Sequence, residues 1–438
     1  MIEEQGETSA CMPALRKLLP EGAAVDGKDS SGRAPIWHAS NLGQLGVVIH
    51  LAKQLGACVT LEDSDGRSPL YAAAGYDGPG PGSGGGHLEV VQWLAGNGGS
   101  VTQPTNDGCT PLYIAASNNH LPVVQWLAGN GGSVTQPDSI GSTPLSIAVQ
   151  MNHLEVVQWL ASNGGSITQP INDGHTPLHF AVQIGHINMV QWLASNGGSV
   201  TQKNNNGATP FFVAAQYEQL ELVQWLAANF NGGLLTQPDN SGASPLFVAA
   251  ESSCVVGSNM GSRRLDVVQW LANNGASITQ PTNDGRTPLW MAASHCNFEL
   301  VQWLTSNGGS INQPTNDGST PLCIAASCGN VEIVQWLAQN GASVVRPTKG
   351  GATPLWRAAK NGQSKVVQWL AANGGSGAHP NKVPRAILVV DGVVEWGGGG
   401  WKTANDVAYE VAIANGHVSV AAFLTAASTW SSFKIMAA

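Results

Sequence analysis

Seven cysteines and eleven histidines have the widest chemical reach in this 438-residue chain. Such side chains hold zinc when four of them recur at short, paired spacings. Cys11, Cys58, Cys109, Cys254, Cys296, Cys323 and Cys328 include no Cys-x-x-Cys pair. Cys323 and Cys328 stand five apart, on one short helix and its following turn. His175 and His179 are four apart, but they straddle a helix start with no carboxylate partner expected beside them. Gly80-x-Gly82-x-x-Gly85 has the spacing of a dinucleotide fingerprint. That motif works only between a strand and a helix whose N-terminus faces the phosphates, and neither is expected here. No nucleophile elbow, oxyanion hole, P-loop or kinase signature is present. The expectation is a chain that is no enzyme and takes no metal or cofactor.

His120, His153 and His186 share one slot at intervals of 33 residues. That regularity leads from single residues to the elements that carry them. Thr/Ser-Pro-Leu starts at Ser68, Thr110, Thr143, Thr176, Ser244, Thr287, Thr320 and Thr353, with variants at Ala34 and Thr209. The interval is 33 from Thr110 to Thr209 and again from Thr287 to Thr353. A second marker, Gln-Trp-Leu, keeps step with it and places tryptophans from Trp93 to Trp369.

One unit shows how the pattern folds. Asn172-Asp173-Gly174 signals a tight turn. Thr176 can cap a helix, and Pro177 suits its first position because a missing N–H costs nothing there. Leu178, Ala181 and Val182 give that helix a short apolar face, and Gly185 ends it. Ile187, Val190, Leu193 and Ala194 recur at helical spacing, with Met189 and Trp192 alongside. The second helix is apolar around most of its girth, so it must lie between neighbours. One unit cannot bury enough surface to offset the ordering cost of about 1–2 kcal/mol per residue, so units must stack. Packing is the expected role of the tryptophans, and Trp192→Ala is expected to cost roughly 3–5 kcal/mol. The three in-step histidines are expected to cap or bridge units.

A 33-residue helix–turn–helix opened by Thr-Pro-Leu resembles the ankyrin repeat. Thr176-Pro177-Leu178-His179-Phe180-Ala181 with Gly185-His186 is close to that family's consensus. The near-identical blocks also resemble lineage-expanded arrays of unicellular eukaryotes. The resemblance implies an all-α solenoid of about eleven repeats, with turn fingers and first helices lining a concave face. A capping half-repeat is expected over 1–30 and ten repeats over 31–375, with inserted loops at 75–86 and 252–262. A β-hairpin insertion is expected over 376–402, either an enlarged finger or a projecting tab. A degenerate last repeat is expected over 403–427, then a tail over 428–438.

By the same resemblance, positions that vary within the repeating frame line the concave face. After the finger glycine these include Arg67, Cys109, Ser142, His175, Ala208, Ala243, Arg286 and Ser319. Near the end of the first helix they include Asn118, Met151, Ile184, Tyr217, His295, Cys328 and Asn361. Arg67, Cys109, Asn118, His175, Ile184, Tyr217, Arg286, His295 and Asn361 are the candidate partner-binding residues.

Charge and composition narrow the partner. Charged residues make up 11% of the chain and the net charge is −9. No basic stripe that could displace counterions from phosphates stands out, which argues against nucleic acid and an anionic membrane. The acidic start lacks an apolar stretch, and no run approaches the ~18 apolar residues of a membrane span. With no glycosylation sequon and an odd number of cysteines, the expected setting is cytoplasmic or nuclear. The expected function is a monomeric scaffold or adaptor for another protein. The alternative is the substrate-recognition subunit of a larger enzyme complex, such as a ubiquitin ligase.

Overall fold

The structure is a computed structural model that describes residues 24–75, 86–230, 233–251 and 260–375. These contain twenty α-helices in ten pairs, and none of the described residues forms a β-strand. The expected hairpin at 376–402, the repeat at 403–427, the tail at 428–438 and most of the cap at 1–30 lie outside the described residues.

The helices fall into two compact units, 1–205 and 206–438. In the first unit the first helices of the repeats are Pro35–Asn41, Pro69–Gly75, Pro111–Ser117, Pro144–Gln150 and Pro177–Ile184. Their partners are Leu45–Lys53, Leu88–Gly96, Leu121–Gly129, Leu154–Ser162 and Ile187–Ser195. In the second unit the pairs begin with Pro210–Gln216 and Leu220–Asn229, then Pro245–Glu251 and Met260–Asn273. They continue with Pro288–Ser294 and Phe298–Ser306, Pro321–Cys328 and Val331–Gln339, and Pro354–Lys360 and Ser364–Leu370. The helix starting at Met260 takes up the end of the stretch expected as a loop to 262.

Each first helix begins as its residues dictate. The hydroxyl of Thr110 accepts from the Tyr113 N–H, and Thr143, Thr209, Thr287, Thr320 and Thr353 repeat the cap. Thr176 forms a reciprocal cap with His179, whose buried ring accepts the Thr176 backbone N–H at 3.1 Å. Gly185 ends that helix in the left-handed region at φ 88°.

Small residues set the stacking. Pairs such as Ala115–Ala116, Ala214–Ala215 and Ala325–Ala326 are fully buried between successive first helices. Short side chains allow close axes, so the first helices pack more intimately than the second helices do. Second helices bury a Val-Val-Leu type triplet, as at Val156, Val157 and Leu160.

The tryptophans depart from a simple core role. All nine in-step tryptophans are half-buried rather than sealed. Each second helix is covered on the face that carries the triplet, and Trp lies at the edge of that cover. Trp336 meets Phe298 of the preceding second helix edge-on, with centroids 6.1 Å apart. The Asn four residues after each in-step tryptophan donates its side-chain amide to the Trp backbone carbonyl, as Asn196 does to Trp192 at 2.8 Å.

Candidate binding surface

The finger turns form a ladder. Each finger's tip N–H donates to a carbonyl of the finger before it: Asn172 to Ile140 at 2.9 Å and Asn316 to Asp284 at 2.8 Å. Where the tip is Asn, its side chain adds a second rung, as from Asn172 to Ser139 at 3.2 Å and from Asn316 to Asn283 at 2.9 Å. Gly174 shows why glycine closes the turn. Its φ is 86°, and a Cβ there would sit 2.6 Å from the Asn205 backbone nitrogen.

Inside most fingers a Thr or Asp closes the loop, which the sequence reading missed; Ile171 and Asn204 hold that slot in the other two. Asp138 Oδ1 accepts the Ser142 N–H at 2.8 Å, and Thr315 Oγ1 accepts the Ser319 N–H at 3.0 Å. The signal was present, because Thr or Asp recurs four residues before the varied position.

In the slot before the second helix, His87 and His153 bridge repeats, whereas Asn297 and Asn330 cap their own helices. His153 Nε2 lies 2.9 Å from the Ser117 carbonyl, and His87 Nε2 lies 3.2 Å from that of Asn41. A Cβ on Gly43 would collide with the His87 ring, so the close approach needs glycine. Burial lowers the pKa of His186. In the second unit Arg264 takes this slot. Its Nε and Nη2 both lie 3.0 Å from Oε1 of Glu218, one repeat back. Their side chains are 2% and 11% exposed, and Glu218 holds φ 57°.

The candidate partner-binding residues divide by unit. In the first unit, Arg67 Nη1 lies 2.7 Å from Asp65, and its carbonyl accepts the Trp37 indole N–H. Cys109 is half-buried, and burial, with Asp138 and Asp107 nearby, pushes its thiol pKa up. Asn118 donates to the Gly75 carbonyl. His175 has a carboxylate after all: Asp173 Oδ1 lies 2.8 Å from its Nδ1. The turn between them folds the acid back onto the ring. His175 also stacks on Phe180, with centroids 5.6 Å apart. Ile184 is 45% exposed.

In the second unit Tyr217 is also 45% exposed. Arg286 is exposed, 2.8 Å from Asp284 and 5.3 Å from the Trp290 ring centre. His295 Nδ1 turns inward to the Met291 carbonyl at 3.2 Å. Asn361 donates to the Ser327 carbonyl at 3.0 Å. Asn118 and Asn361 therefore spend their amides on the preceding repeat.

Four positions of the wider set are corrected. Ser142, Ala208, Ala243 and Ser319 are buried, since small side chains there let the next finger close over them. No group of three His, Cys, Asp or Glu able to hold a metal occurs among the described residues.

The family model described as ankyrin repeats (3 copies) matches overlapping stretches from residue 82 to residue 383. The chain belongs to the ankyrin-repeat family. No curated protein matches it. Ankyrin repeats are generally protein–protein interaction modules, and the family is generally non-catalytic. No described helix is long and apolar enough to cross a membrane.

Proposed function

We propose that the chain is a non-catalytic scaffold or adaptor, monomeric in the cytoplasm or nucleus, whose partner protein seats on the finger and first-helix side of its repeats. One observation carries this reading. Among the described residues six large apolar side chains are exposed: Leu42, Leu55, Ile140, Met151, Ile184 and Tyr217. Four of them, Leu42, Met151, Ile184 and Tyr217, occupy the single slot at the end of the first helix. Scatter over a 33-residue unit does not produce that alignment. Apolar side chains left in water at a fixed place mark a surface kept for contact. In the first unit, Ile147 with Met151 and Phe180 with Ile184 are four apart on their helices, so each pair shares a face.

Proximity labelling in cells tests the reading, with the full chain compared with two variants. One carries Met151→Ser and Ile184→Ser, and the other Arg286→Ala and His295→Ala. The expected result is a reproducible partner lost in at least one variant. Ligase subunits among the labelled proteins would recast the chain as a substrate receptor. An identical protein set from all three chains would overturn the proposed seat.

A further inference from the structure

The last described repeat breaks the charge pattern of the chain. Residues 343–375 hold Arg346, Lys349, Arg357, Lys360 and Lys365 and no Asp or Glu. The repeat before it, 310–342, holds Asp317 and Glu332 and no Lys or Arg. Matched slot by slot, Gln313 gives way to Arg346, Asn316 to Lys349, and Asp317 to Gly350. Ile324 gives way to Arg357, Ser327 to Lys360, and Glu332 to Lys365. All six changes shift the charge in the positive direction. The framework stays as it was: Thr353 caps, Pro354 starts the helix, and Ala358 and Ala359 are buried. Packing therefore does not demand these cations.

Three of them share the finger and first-helix side. Lys349 is exposed at the finger tip, where its N–H makes the usual rung to Asp317 at 2.8 Å. Arg357 and Lys360 lie on Pro354–Lys360. Arg357 Nη2 is 3.2 Å from Asp317 Oδ2, which steadies the guanidinium and leaves its other N–H groups for a further acceptor. Lys360 is exposed, with its ammonium 5.2 Å from the centre of the half-buried Trp356 ring. Arg346 anchors to the Asn312 carbonyl at 3.0 Å.

We infer that this face holds a short acidic stretch of the partner protein, with Lys349, Arg357 and Lys360 meeting its carboxylates. The inference rests on the protein-binding reading above. Guanidinium matches carboxylate geometry, and opposed charge selects partners and speeds encounter. A nucleic-acid strand fits less well. Its phosphates would run past Asp317 and Asp284 in the neighbouring fingers, where a basic track should continue.

Fluorescence anisotropy of the full chain with a labelled oligoglutamate peptide, at low and high salt, tests this directly. The variant Lys349→Asn, Arg357→Ile, Lys360→Ser carries the preceding repeat's own residues, so its fold is retained, which circular dichroism checks. Salt-sensitive binding should weaken at least about tenfold in the variant. No binding, or equal binding by variant and parent, would overturn the inference. So would single-stranded DNA binding as tightly as the peptide. Proximity labelling separates the two readings: a partner lost through Met151→Ser and Ile184→Ser keeps the module reading alive even if oligoglutamate fails.

Discussion

Arg264 and Glu218 show how one residue pair can rewrite a repeat joint. His87 in the Arg264 slot closes on Gly43 one repeat back, and in the repeat before His153 the position matching Glu218 is Asn119, also at positive φ. Here a guanidinium and a carboxylate meet in a nearly closed site. Removing one buried partner strands the other, so Arg264→Ala should lower unfolding free energy by about 3 kcal/mol in a denaturant titration. Combining Arg264→His with Glu218→Asn installs the residues of the His153 joint, where the ring meets the Ser117 carbonyl, and should recover most of that loss. The histidine bridges were legible in the sequence because they recur at fixed intervals. The Arg264–Glu218 pair was not, since it occurs once and its partners are 46 residues apart. His175 misled for another reason: Asp173 was in plain view, but only the turn geometry aims it at the ring.

At the scale of the element, the second helix was read correctly as apolar on most sides, yet its cover was overestimated. The Val-Val-Leu face and the Trp edge are both apolar, so periodicity alone could not say which one the neighbours seal. A half-exposed ring returns less on burial than a sealed one. Trp192→Ala should therefore cost about 2 kcal/mol, below the 3–5 kcal/mol expected for a core tryptophan. Thermal melts against Leu193→Ala, a fully buried neighbour on the same helix, provide the check. A loss for Trp192→Ala equal to or above that of Leu193→Ala would show the ring to be sealed. The caps and glycine stops needed no such revision, because a hydroxyl before proline and a glycine at positive φ act locally.

For the whole molecule, acid should weaken the chain in two windows. Burial holds the His186 pKa below its ordinary value, so folding favours the neutral ring. Its share of stability is present above about pH 6.5 and is lost as pH falls further. Burial pushes the carboxyls of Asp29, Asp173 and Asp317 up. Their hydrogen bonds and the nearby His38, His175, His179 and Arg357 more than offset this and leave them net lowered. Their share is present above about pH 4 and is lost as pH falls through the lowered values. Melting temperatures measured from pH 7 to pH 2 should show a shallow decline and then a steeper one. A flat profile through the acidic limb would remove the carboxylates from the account. The finger ladder has a last consequence. Its rungs are made by backbone and by an often-repeated Asn, so nearly any finger could dock on nearly any other. Interchangeable joints let a whole unit be copied into the array without redesign. They also let a folding chain skip a unit and close over a looped-out neighbour. Joints that differ, such as the buried Arg264–Glu218 bridge, work as keys that fix the order of assembly.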